Sequence, residues 1–110
     1  MEFTATESGF EHGMGGASNA ECTAENHYVL FGRQADEQHP ECRGTYFEFD
    51  DQVNGNVNCV AAVTIMDHDV KFDLRSGQAI LVRCGTPDPQ WSEFLKGIDD
   101  VFGDLVVRTG

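Results

Sequence analysis

The stretch Thr45-Tyr46-Phe47-Glu48-Phe49-Asp50-Asp51-Gln52-Val53-Asn54-Gly55 decides the fold class, because apolar and acidic side chains alternate along it before it stops at Asn-Gly. That pattern is a half-buried strand running into a turn. Successive strand side chains point to opposite faces, so Phe47 and Phe49 are expected in a core. Tyr46, Glu48 and Asp50 then share the wetter face, with Asp51 and Gln52 crowning its end. On such an exposed face, reversing the charges of Glu48 and Asp50 is expected to leave folding nearly intact.

Neighbouring segments extend the pattern. Residues 27–32 read as a strand, and residues 33–41 as an exposed acidic loop carrying Asp36, Glu37 and Glu41 and broken at His39-Pro40. Residues 57–66 place Val57, Cys59, Ala61, Val63 and Ile65 on one face of a central strand. The triplet Asp67-His68-Asp69 turns the chain into residues 70–74, with Val70, Phe72 and Leu74 inward, and Ser76-Gly77 turns it again into residues 79–84. Such short connections suit an antiparallel meander. Then Asp88 as N-cap and Pro89 open a helix whose Trp91, Phe94, Leu95, Ile98, Val101 and Phe102 fall on one stripe. Gly103 is the expected stop, and residues 105–107 a last strand. At the other end, residues 3–6 read as a short edge strand, while Gly9, Gly13, Gly15 and Gly16 predict an irregular segment.

With 110 residues there is room for one core. The expectation is a single α+β domain with its core in residues 26–107 and residues 1–25 partly irregular. It consists of a curved antiparallel β-sheet (meander) with one C-terminal amphipathic helix packed on a face.

The formal net charge is −12, from 19 acidic against 7 basic residues, and residues 1–55 hold 11 of the acids with 2 bases. A surface of that sign repels phosphate, so nucleic acid and anionic membranes are not expected as partners and a basic protein is favoured. The opening Met1-Glu2-Phe3-Thr4 has no basic region leading into an apolar run, and no stretch approaches the length of a membrane span. A cytoplasmic chain is expected. Cys22, Cys42, Cys59 and Cys84 are scattered with no Cys-x-x-Cys pair, which predicts reduced thiols and no zinc cluster.

No nucleophile, cofactor loop or metal set stands out, and no cofactor, metal or catalytic residue is assigned. Asp67, His68 and Asp69 carry ligand chemistry, but adjacent strand residues face opposite ways and Asp-rich triplets are common turn material. A small acidic adaptor or secretion chaperone would share the same composition, and a metal-dependent enzyme would need partners distant in sequence.

Three segments carry a family resemblance: Tyr28-Val29-Leu30-Phe31-Gly32-Arg33, then Gly44-Thr45-Tyr46-Phe47-Glu48-Phe49-Asp50-Asp51-Gln52, then residues 60–65 and 70–74 with the closing helix to Phe102. Together they resemble the immunity protein 10 family of bacterial polymorphic toxin systems. The most specific piece is Tyr46, Phe47, Glu48, Asp50, Asp51 and Gln52; a glycine pair expected before the central strand is replaced by Asn58-Cys59. The resemblance implies a small cytoplasmic protein, encoded beside a toxin, that binds and neutralises it. Toxins that cut nucleic acid carry basic clefts, which a carboxylate-rich surface can occupy as a phosphate surrogate. The expected contact residues are Tyr46, Glu48, Asp50 and Asp51, joined by Asp36, Glu37 and Glu41 from the loop.

The cysteine reading is checked by mass. The denatured, unreduced protein should take up one alkyl group at each of its four cysteines; loss of two hydrogens per pair in the intact chain would instead indicate disulfides.

Overall fold

The computed structural model describes residues 1–19, 27–34, 44–85 and 89–109. In chain order they form β1 (Glu2–Ala5), β2 (Glu7–Glu11), β3 (Met14–Ser18), β4 (Tyr28–Gln34), β5 (Gly44–Phe49), β6 (Asp51–Val57), β7 (Val60–Met66), β8 (Asp69–Leu74) and β9 (Ala79–Cys84). The helix α1 (Gln90–Phe102), a 3₁₀ turn (Gly103–Leu105) and β10 (Val106–Thr109) follow.

The α+β class holds, but the single sheet does not. Two five-stranded sheets form, one antiparallel in the order β2-β3-β4-β5-β6 and one mixed in the order β1-β9-β8-β7-β10. The expected meander is β7-β8-β9, turned at Asp67 (φ 41°) and Gly77 (φ 98°) and flanked by β1 and β10, which run parallel to β9 and β7. Two sheets arise because each has its own apolar face to bury. Val29, Phe31 and Phe47 come from the antiparallel sheet, and Val63, Val70, Phe72, Ile80 and Val82 from the mixed one.

The chain changes sheets at Asn58, within what reads in the sequence as one continuous strand. Asn58 takes a left-handed conformation (φ 57°) open to asparagine and to few other residues besides glycine. Its amide donates to the Thr45 carbonyl (2.7 Å), its side-chain oxygen accepts the Thr45 amide (3.1 Å), and its carbonyl accepts Arg75 Nε (2.9 Å). A bulge between Val60 and Ala62 then resets the alternation. Val60, Val63 and Ile65 are therefore buried while Ala61 is exposed, against the expected series through Cys59 and Ala61.

The glycine-rich segment is ordered. Residues 7–18 form the β2–β3 hairpin, turned at His12 and Gly13 and zipped onto β4. Its glycines make room for aromatic rings: Gly15 lies opposite both Phe10 and Phe31, and a Cβ there would come within 2.4 Å of the Phe31 ring. The helix closes over the same spot. Gly97 meets Phe10 so closely that a Cβ would sit 2.2 Å from Phe10 Cδ2.

Along α1, Trp91, Phe94, Ile98, Val101 and Phe102 are buried, as the stripe predicts. The helix begins at Gln90 with Pro89 at the cap position; the predicted cap Asp88 lies outside the described residues. Gly103 ends it at φ 47°, its amide donating to the Asp99 carbonyl. Arg33 from β4 donates to the Asp100 carbonyl, setting a cation against the negative end of the helix dipole.

These close approaches yield a paired test. Gly97→Ala should lower stability by about 1–3 kcal/mol through overpacking against Phe10. Gly9→Ala, where a Cβ meets nothing within 4 Å, should cost well under about 1 kcal/mol. Denaturant unfolding of the two variants checks the contrast.

Candidate partner-binding face

Pairing register sorts the antiparallel sheet into two faces. Glu7, Gly9 and Glu11 of β2, Met14, Gly16 and Ser18 of β3, Tyr28, Leu30 and Gly32 of β4, and Tyr46 and Glu48 of β5 share the face turned away from the core. Tyr46 and Glu48 thus lie on the predicted side.

Glu48 is nevertheless buried, at 7% exposure, which corrects its expected place in solvent. The hydroxyls of Tyr28 and Tyr46 each donate to one of its carboxylate oxygens, the Tyr46 bond being 2.6 Å. The two hydroxyls cap the charge, so a carboxylate on the outward side is still withdrawn from water. Burial, followed by the Glu48 hydrogen bond and charge, pushes the Tyr28 phenol far above its ordinary value. Tyr46 is raised first by its Glu48 hydrogen bond and then by desolvation. Both therefore stay protonated donors.

Asp50 is not a strand residue. It occupies the β5–β6 turn in a left-handed conformation (φ 61°), where Oδ1 accepts the Tyr28 amide (3.1 Å) and Oδ2 accepts His27 Nδ1 (2.9 Å). The His27 ring stacks on Phe3 of the mixed sheet, centroids 5.9 Å apart. Asp50 therefore helps to join the two sheets, and its reversal to lysine would break that connection. The turn precedes Asn54-Gly55, which sit within irregular β6 pairing; Asn54 Nδ2 donates to the Phe49 carbonyl (2.9 Å). Asp51 is exposed and accepts the Val53 amide (3.1 Å). Asp36, Glu37 and Glu41 lie outside the described residues.

The structure adds Tyr28 and Glu7, which sequence reading left aside. Tyr28 had one available signal, since it and Tyr46 are the chain's two tyrosines; the bond to Glu48, 20 residues away, appears only once β4 and β5 pair.

Charge is divided between the sheets. Strands β2, β3, β5 and β6 contain no lysine or arginine. Among the described residues, Arg83 pairs with Glu2 (2.8 Å) and Asp69 (3.5 Å), Lys71 with Asp73 (3.5 Å), Lys96 with Glu93 (4.0 Å) and Arg108 with Asp99. Arg33 serves the helix end and Arg75 the Asn58 corner; Arg43 lies outside the described residues. The mixed sheet thus balances much of its charge internally, whereas the outer face of the antiparallel sheet leaves Glu7 without a cationic partner among the described residues.

Among the described residues, no group of three or more His, Cys, Asp or Glu side chains is placed to hold a metal ion. Asp69 instead accepts the Cys84 amide (3.2 Å) as well as pairing with Arg83. Cys59 is a free thiol, and burial pushes it up, away from the reactive thiolate. No described helix is long and apolar enough to cross a membrane. No family model, curated protein or solved structure matches the chain.

The two tyrosines provide a direct spectroscopic check. Their raised phenol values mean that the folded state holds these protons more tightly than the unfolded chain. This stabilisation is present below the ordinary phenol value of about 10 and is lost as pH rises through the higher folded values. Tyrosinate absorbance near 295 nm should therefore appear only well above pH ~10 while the protein is folded, and closer to it in Glu48→Gln. Glu48→Ala, which leaves both phenols without their acceptor, should lower the midpoint of thermal or denaturant unfolding.

Proposed function

We propose that this chain is an immunity protein, binding a basic toxin through the outer face of its antiparallel sheet and neutralising it. The division of charge is the observation that supports this most. On that face Glu7 and Glu11 accompany two tyrosines, and the four strands β2, β3, β5 and β6 are free of lysine and arginine. A cationic surface is attracted there, and phosphate is repelled. Tyrosine is also a favoured interface anchor, because it offers a large amphipathic contact for little conformational entropy.

The resemblance of the Tyr46 to Gln52 strand end to the immunity protein 10 family supplies the class of partner, a toxin encoded beside this chain. Inhibition on this reading is occlusion. The carboxylates occupy a basic substrate cleft and no bond in the toxin is altered, so no cofactor is required. The site of action is the cytoplasm, where the toxin would otherwise act.

Co-expression with the neighbouring gene product tests this reading. A stable complex is expected, with an association rate constant that falls at least about tenfold as salt rises from about 50 to 500 mM, the Debye length shrinking about threefold. A salt-independent rate would remove charge steering. Binding of the chain to DNA or RNA at physiological salt would overturn the function.

A further inference from the structure

A cleft of about 320 Å³ opens beside the Tyr28–Glu48 pair, lined by Glu7 of β2, Gly16 and Ser18 of β3, and Tyr28 and Leu30 of β4. At its floor Gly16 carries no side chain of its own, and a Cβ there would lie 3.6 Å from Leu30 Cδ1, so Leu30 borders the floor. Gly9 faces Gly16 across the β2–β3 pair, just outside the lining, and a Cβ on it would meet nothing within 4 Å. Glycine within a strand leaves room for close approach by another group.

The walls differ in chemistry. On one side stands the Tyr28 ring, held in place because its hydroxyl is bonded to buried Glu48. On the other stands the exposed Glu7 carboxylate. Strands β2 and β4 flank β3, so the walls rise from backbones about 10 Å apart. A flat cationic group fits between an aromatic ring and a carboxylate, stacking on the first and donating hydrogen bonds to the second. Guanidinium does this better than ammonium, being planar, less strongly hydrated and forked in its donors.

We propose that this cleft receives an arginine side chain of the toxin, its guanidinium stacked on Tyr28 and directed to Glu7. The assignment rests on the basic-partner reading above and makes it specific. Glu48 is then a positioning residue that holds the ring without touching the arginine, and Gly16 keeps the floor low.

Isotope-labelled full-length protein can be titrated by NMR with N-acetyl-arginine amide, N-acetyl-lysine amide and nona-arginine. The arginine amide should saturably shift the backbone amides of Gly16, Ser18, Tyr28 and Leu30, binding at least about threefold more tightly than the lysine amide. Glu7→Gln and Tyr28→Leu should each weaken it about threefold, while Tyr28→Phe, which keeps the ring, should retain the preference for arginine. If Tyr28→Leu does not fold, Glu7→Gln and the lysine comparison still decide. Equal affinity for the two amides, or shifts confined to the mixed sheet, would overturn the cleft assignment. Nona-arginine binding that leaves these four amides unmoved would reject the cleft and keep the basic partner. Failure of nona-arginine to bind at about 20 mM salt, where charge attraction reaches farthest, would reject both.

Discussion

Five buried phenylalanine rings join the three layers of this protein. Phe31 and Phe47 come from the antiparallel sheet, Phe72 from the mixed sheet, and Phe94 and Phe102 from the helix. Phe72 lies 4.9 Å from Phe47 and 6.0 Å from Phe102 between ring centroids, and Phe31 lies 5.7 Å from Phe94 and 5.2 Å from Phe102. Tilted and edge-to-face aromatic pairs at such separations add specific geometry to the burial of large apolar surfaces. The glycines serve this cluster: without Gly15 and Gly97, the Phe31 and Phe10 rings could not lie where the hairpin and the helix meet.

That core dictates the other side of the sheet. Once Phe47 points inward, Tyr46 and Glu48 must point outward, and Glu48 becomes tolerable in its shielded position because two phenols satisfy it. The acceptor in turn ties down both tyrosine hydroxyls. Rings fixed before binding lose less entropy when a partner arrives, so on the proposed reading the same bonds that satisfy Glu48 also preorganise the contact surface. Strands β2, β3, β5 and β6 lack lysine and arginine, whereas the mixed sheet carries internal ion pairs, and this difference gives the antiparallel sheet an acidic outer side.

Much of this was legible in the sequence, and the remainder depended on contacts distant along the chain. Val70, Phe72 and Leu74 declared their strand by period two, and the Trp91 to Phe102 stripe declared its helix, because both signals are local and strongly repeated. The sheet change at Asn58 was hidden, since a left-handed asparagine followed by apolar residues looks like any strand start. The β2–β3 hairpin was hidden for another reason: glycine disfavours strands on its own, and the compensating rings belong to Phe10, Phe31 and the underside of α1. For Glu48, alternation revealed the face and not the depth, because its cover comes partly from Tyr28 on a separate strand.

On the proposed reading, a toxin docks on the outer face of the antiparallel sheet. Hydroxyl-radical footprinting of the chain, alone and bound to a catalytically silent form of the toxin, tests it most directly. Met14, Tyr28 and Tyr46 share that face, while Met66 belongs to the mixed sheet. Binding should suppress oxidation of Met14, Tyr28 and Tyr46 and leave Met66 unchanged. Protection of Met66 with undiminished oxidation of both tyrosines would contradict it.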